Sequence, residues 1–186
     1  MIGVIGSWTS WLARNSALAG KGIRTMRRHS LTWLGALALA LAVFPLAASA
    51  GVLTFDELAG PYGPIPNGYG GFNWVNMWYL DPSPAAYAGS GYQNGLVSGA
   101  NVAYNPYTLD PMVVSSTAFT FNGAYLTGAW NDGLQVEVQG FVGTTMVYDT
   151  TVTASPTTGP PQFFTFDYIG VTELKFHSFG GTHHAA

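Results

Sequence analysis

The chain contains no cysteine. It can therefore form no disulfide, no thiolate nucleophile and no cysteine-held metal centre, and an exported form would rest on its core, with room for assistance from a metal. Charge is scarce as well, at 8% Asp, Glu, Lys and Arg, and it is unevenly placed. Of the six basic residues, Arg14, Lys21, Arg24, Arg27 and Arg28 precede residue 51, whereas all nine acidic residues follow it. Lys175 is the one cation of residues 51–186 that is charged at every ordinary pH. Such a segment cannot neutralise phosphates, which excludes nucleic acid and anionic membranes as natural partners and leaves neutral ligands and divalent cations. No apolar run reaches the roughly 20 residues of a membrane-spanning helix. Catalytic signatures are missing too: the sequence holds no G-x-S-x-G elbow, H-E-x-x-H pair, P-loop or dinucleotide fingerprint.

What is present begins with an export signal. Met26-Arg27-Arg28-His29 forms a basic start, Leu31 to Leu46 is an apolar run of 16 residues containing Pro45, and Ala48-Ser49-Ala50 has the small-x-small form of a cleavage site. This predicts a signal peptide cut after Ala50, a secreted or cell-surface product, and no stable membrane insertion after cleavage. An uncleaved N-terminal anchor is the alternative. Residues 1–25 precede a second methionine and read as an over-extended start. Residues 51–186, 136 in number, are the length of one domain.

Turn signals divide that domain: Asn67-Gly68, Asn94-Gly95, Asn122-Gly123 and Asp132-Gly133 tolerate the positive φ of tight turns. Short Val-, Thr- and aromatic-rich runs lie between them. Val52–Phe55 and Trp74–Tyr79 read as the first strands. Phe119 and Phe121 share one face of a third, opposite Thr120. Leu134, Val136, Val138 and Val142 alternate with Gln135, Glu137 and Gln139, and after Gly143-Thr144 the pattern continues through Met146, Tyr148 and Val152, which predicts a half-buried antiparallel hairpin. Phe164 and Phe166, then Gly170, then Leu174 and Phe176 predict a second hairpin. No 3.6-residue apolar period is sustained after residue 51. The expected fold is all-β, an antiparallel jelly-roll-like β-sandwich following the signal peptide, with Pro82 to Gly99 irregular. The stretch GPYGPIPNGYGGFNW, residues 60–74, reads as a crossing loop stiffened by its prolines and pinned by Tyr62, Tyr69 and Phe72.

Phe55-Asp56-Glu57-Leu58, the segment Ile65-Pro66-Asn67-Gly68-Tyr69-Gly70-Gly71-Phe72-Asn73-Trp74, and later Trp130, Leu174-Lys175-Phe176 and Phe179-Gly180-Gly181 together resemble a group of exported bacterial β-sandwich proteins, many of which carry a PEP-CTERM sorting tail. The resemblance covers most of residues 52–183 and implies the fold and the export route, but no activity. The sorting tail is absent here. Proteins of that group usually continue past the Gly-Gly-Thr-His segment into one more strand, so the resemblance raises the expectation of an unpaired neighbour.

Three functional readings stay open on the residues alone. The first is a non-catalytic protein that binds polysaccharide or another extracellular-matrix component. Flat rings stack on pyranoses and amides bond hydroxyls, with no cation needed. Trp74 and Trp78, four apart, would lie about 13 Å apart on one face of a single strand. Tyr69, Trp74, Trp78 and Trp130 form the candidate platform, with Asn76 and Gln135 as polar partners; the same rings can equally be core. The second reading is a self-associating structural matrix protein. The third is a small glycan-acting hydrolase built on a carboxylate pair, which no spacing singles out. For cofactors, the sequence leaves room for a structural calcium, with Asp56 and Glu57 the best ligands; Asp110 and Asp132 fit turn chemistry better.

Overall fold

A computed structural model describes residues 3–9, 50–155 and 159–184. The run from Arg27 through Ser49, including the apolar core of the expected signal peptide, lies outside the described residues. Among the described residues ten strands are formed: β1 (Gly3–Thr9), β2 (Ala50–Leu53), β3 (Tyr62–Pro64), β4 (Asn73–Val75), β5 (Trp78–Leu80), β6 (Val102–Tyr104), β7 (Met112–Thr127), β8 (Asn131–Val142), β9 (Thr145–Thr153) and β10 (Gln162–His183). One short helix, α1 (Gly91–Asn94), lies in the Pro82–Gly99 region.

The strands run in the order β3-β5-β6-β1-β7-β10-β8-β9, with β2 paired to β1 and β4 to β7, all antiparallel. The chain is an all-β antiparallel sandwich of two packed sheets. β7 and β10 are long enough, at 16 and 22 residues, to take part in both. Their mutual register breaks between Thr165 and Tyr168, again before Val171, and again before Glu173. Bulges of this kind add bend and twist, which lets one strand serve two sheets.

The alternation read from the sequence fills the core. Val114, Phe119, Phe121, Leu126, Leu134, Val136, Val138, Leu174 and Phe176 are buried in one apolar cluster. Phe121 stands at its aromatic centre, 5.2 Å from Phe166, 6.0 Å from Phe176 and 6.3 Å from Tyr168 between ring centroids.

Four expectations need correcting. The second hairpin does not form: Asp167 and Gly170 take positive φ (52° and 74°) as irregularities within β10, and the strand runs on past them. The outer half of the β8–β9 hairpin extends beyond the core, so Val142 and Met146 stay exposed. Trp74–Tyr79 is two strands, because Asn76 adopts φ 59° between β4 and β5. Asparagine is among the few side chains that tolerate this left-handed region, and the Asn76 amide anchors the bend by donating to the Pro111 carbonyl at 2.9 Å. Finally, Gly3–Thr9, within the segment read as an over-extended start, is a strand in the sheet.

The crossing loop is pinned largely as expected. Asn67 Oδ1 accepts from the Trp74 N–H at 2.7 Å, and Phe72 is buried edge-on against Phe119. Tyr62 departs from the pattern. It is 60% exposed.

Candidate functional site

The three short strands β3, β5 and β6 have two unlike faces. Tyr79 and Ala103, opposite one another in the ladder, face the main core. On the other face, register places Pro64 opposite Trp78, Trp78 opposite Tyr104, Tyr62 opposite Leu80, and Leu80 opposite Val102. Half of this outer face is roofed. Leu80, Val102, Tyr92 and Ala129 form a second buried cluster, with Tyr87, Tyr104 and Trp130 packed against it. The roof is the Pro82–Gly99 segment. It is held by Ser90, whose hydroxyl caps α1 at the Gln93 N–H (3.4 Å), and by Thr127, whose hydroxyl donates to the Gly91 carbonyl at 2.8 Å.

The other half is open and aromatic. Tyr62 lies parallel to Trp78 (6.4 Å, 12°), and Tyr107 stands edge-on to Trp78 (6.2 Å, 81°). Tyr107 is 76% exposed, presented by a turn in which it takes φ 52°. Tyr104, the ladder neighbour of Trp78, packs against the roofed cluster, edge-on to Tyr92. Burial, followed by the nearby Tyr87, Tyr107 and Tyr62, pushes the Tyr104 hydroxyl up to about 12. The result is a shelf of rings with phenol hydroxyls and no charged group among its members, a surface suited to a flat, neutral, hydroxyl-rich ligand.

Of the residues proposed from the sequence as a ligand platform, Trp78 alone is on this shelf. Trp74 is core, 6% exposed, with its indole N–H donating to the Tyr69 carbonyl at 3.0 Å. The bend at Asn76 thus puts the two tryptophans on different strands and in different environments. Tyr69 is a strut: its ring lies against Phe55 (5.6 Å, 28°), while its hydroxyl donates to Glu57 Oε2 at 2.7 Å and accepts from the Phe55 N–H at 2.9 Å. Burial, then the Glu57 acceptor, raises its pKa well above the ordinary range. Trp130 packs edge-on against Tyr92 in the roofed cluster (6.2 Å, 84°). Gln135 is tied across the ladder to Thr153 at 3.0 Å. Asn76 is spent on the Pro111 carbonyl. Tyr62 and Tyr107 complete the shelf and were not in the candidate set. Their only sequence signal is a ring placed next to proline in a turn.

The acidic candidates are separately engaged. Asp56 Oδ1 accepts from the backbone N–H groups of Ala100 (2.9 Å) and Asn101 (3.1 Å), and Oδ2 accepts from the Ser98 hydroxyl (3.1 Å). Burial alone would raise the Asp56 pKa, but these donors together outweigh it and hold the carboxyl below its ordinary value. Asn101, itself buried, completes the lock by donating to the Phe55 and Leu58 carbonyls at 2.9 and 3.0 Å. Glu57 receives Tyr69. Among the described residues no group of three or more His, Asp or Glu side chains gathers in a way that could hold a metal ion. Asp110 and Asp132 bond C-terminal residues: Asp110 Oδ2 lies 2.8 Å from His177 Nδ1, and Asp132 Oδ2, within β8, lies 3.2 Å from His184 Nδ1. His183 is the last residue of β10, and the His184 N–H donates to the Trp130 carbonyl at 2.7 Å.

An open depression of about 490 Å³, lined by Asp81, Ser83, Gln93, Leu96 and Gly99 among others, lies beyond the Leu80 end of β5. It offers polar groups but no ring among its lining residues, so it ranks behind the shelf for stacking. Among the described residues no helix is long and apolar enough to cross a membrane. No protein-family model, curated protein or solved structure matches the chain at a significant level.

Proposed function

We propose that residues 51–186 form a secreted, non-catalytic module that binds neutral polysaccharide or a similar extracellular-matrix glycan through the open rings of β3, β5 and the Pro106–Thr108 turn. One observation carries the reading: Trp78, itself partly buried, lies between a parallel, exposed Tyr62 and a perpendicular, exposed Tyr107, on a sheet face whose other half is roofed. Aromatic rings left open at the margin of a well-packed cluster are costly to hydrate and gain on covering, and a pyranose face covers them without needing charge. The single lysine of residues 51–186 agrees with a neutral ligand. The basic start, apolar run and small-x-small site support export, as does the resemblance to exported bacterial sandwiches.

Affinity electrophoresis through gels cast with a panel of neutral and acidic polysaccharides tests the proposal. The protein is expected to be retarded by at least one neutral glycan, and Trp78→Ala or Tyr107→Ala to run unretarded. Equal mobility of all forms in every gel contradicts it.

A second reading, self-association within a matrix, has its own observation. The edge strand β9 and the adjoining end of β8 expose Val142, Met146 and Val147, each close to half-exposed. Light scattering that grows with concentration and is abolished by Val147→Lys supports it; a monomer at all concentrations does not.

A further inference from the structure

β1 fills a place in the sheet that the expected cleavage after Ala50 would vacate. On one side Gly3–Thr9 runs along β7, Gly3 opposite Thr127 and Thr9 opposite Thr120. On the other side Gly3 and Val4 pair with Tyr104 and Ala103 of β6, and Gly6 to Thr9 with Leu53 to Ala50 of β2. The strand is thus bonded on both edges. In the register, Val4, Gly6 and Trp8 stand opposite Leu126, Ala124 and Phe121 of β7, and these three β7 residues are fully buried.

Loss of this strand would leave two facing walls of unpaired N–H and C=O groups above the core, a state that folded proteins avoid. An edge strand of another sheet cannot relieve it, because only one of its own edges is free. A slot of this kind takes a lone extended segment that bonds on both sides. Its composition is set by the walls: apolar opposite Leu126, small opposite Ala124 and aromatic opposite Phe121.

We propose that the space between β7 and the β6/β2 pair is a strand-binding site. It is filled in cis by Gly3–Thr9 before processing, and in trans by a free extended segment of a partner polypeptide with the apolar-small-aromatic alternation once the leader is gone. The inference rests on leader removal and is independent of glycan binding.

Hydrogen exchange on the full chain tests it. In a variant carrying Ile5→Pro and Ser7→Pro, which strips β1 of ladder donors, the β7 amides from Thr120 to Leu126 are expected to exchange faster. Adding a synthetic peptide of residues 1–12 should slow them again by roughly tenfold or more. The same peptide with Val4→Asp and Trp8→Asp should not. Unchanged β7 exchange in the proline variant, or a folded variant that the peptide fails to protect, overturns the proposal. Should the variant not fold, the wild-type chain must still capture the fluorescent peptide by strand exchange, read as a rise in anisotropy; no capture overturns it equally. The intact mass of the secreted protein separates the two premises. A product that retains residues 3–9 removes the need for a partner strand and overturns the trans assignment, whatever the glycan experiments give.

Discussion

Replacing Asp56 with alanine removes the acceptor for two backbone N–H groups and one hydroxyl that hold Ser98–Asn101 against the Phe55 turn. A hydrogen bond to a charged group contributes about 1.5–3 kcal/mol when water is excluded. Asp56 is only partly covered, so solvent replaces some of each bond. The expected loss for the three together is about 2–3 kcal/mol, or roughly 6–12 °C of Tm for a domain of this length. The pH dependence gives a second handle. The folded carboxyl sits below its ordinary value of 3.8, so its contribution is present above that pH and disappears as pH falls through the lower, folded value. Thermal unfolding followed by circular dichroism should therefore show wild type well above Asp56→Ala at pH 7, with the gap closing as pH falls below 3.8 through the lower, folded value. EDTA should leave the wild-type Tm unchanged, since Asp56 already has protein donors. Equal Tm values at pH 7 would refute the lock. A calcium-reversible drop with EDTA would refute it in favour of the cation site that the sequence suggested.

Gly99→Ala should cost a comparable amount by the same assay, because Gly99 has φ 46° and a Cβ there would run into the Asp56 carboxylate. Phe121→Ala, which empties a site at 0% exposure between three rings, should destabilise by about 3–5 kcal/mol in denaturant melts, whereas Ile169→Ala, at 68% exposure, should change little. Tyr104, with its pKa raised to about 12, favours the folded state up to its unfolded value near 10 and opposes it as pH rises further. Alkaline titration at 295 nm should accordingly show delayed tyrosines that ionise together with unfolding, and a smooth titration at ordinary values would contradict this.

The sequence disclosed the core better than the surface, for a physical reason. Period-two alternation is written directly into Leu134-Val136-Val138 and Phe119-Phe121, and burial follows from it wherever the backbone is regular. It failed where single residues bend the chain. Asn76 breaks the Trp74–Tyr79 run and sends one tryptophan inward and the other to the outer face, while Asp167 and Gly170 produce irregularities where a turn was expected. A left-handed φ at Asn or Asp carries no hydrophobic signature, so the reassignment of faces beyond it is invisible in the pattern. The shelf was hidden for the same reason. Tyr62, Trp78 and Tyr107 come from three separate segments, brought together by the β3-β5-β6 ladder and a turn. Asp56 was found, but its role depends on three donors that lie more than forty residues away in sequence.

The most direct test of the binding account is a two-dimensional nitrogen–proton spectrum of the labelled protein, titrated with the glycan that retards it most. The Trp78 indole cross-peak is expected to move in a saturable way while that of Trp74 stays fixed. Movement at Trp74 or Trp130 with Trp78 unmoved, or no movement at any indole, contradicts a ligand seated on the open rings.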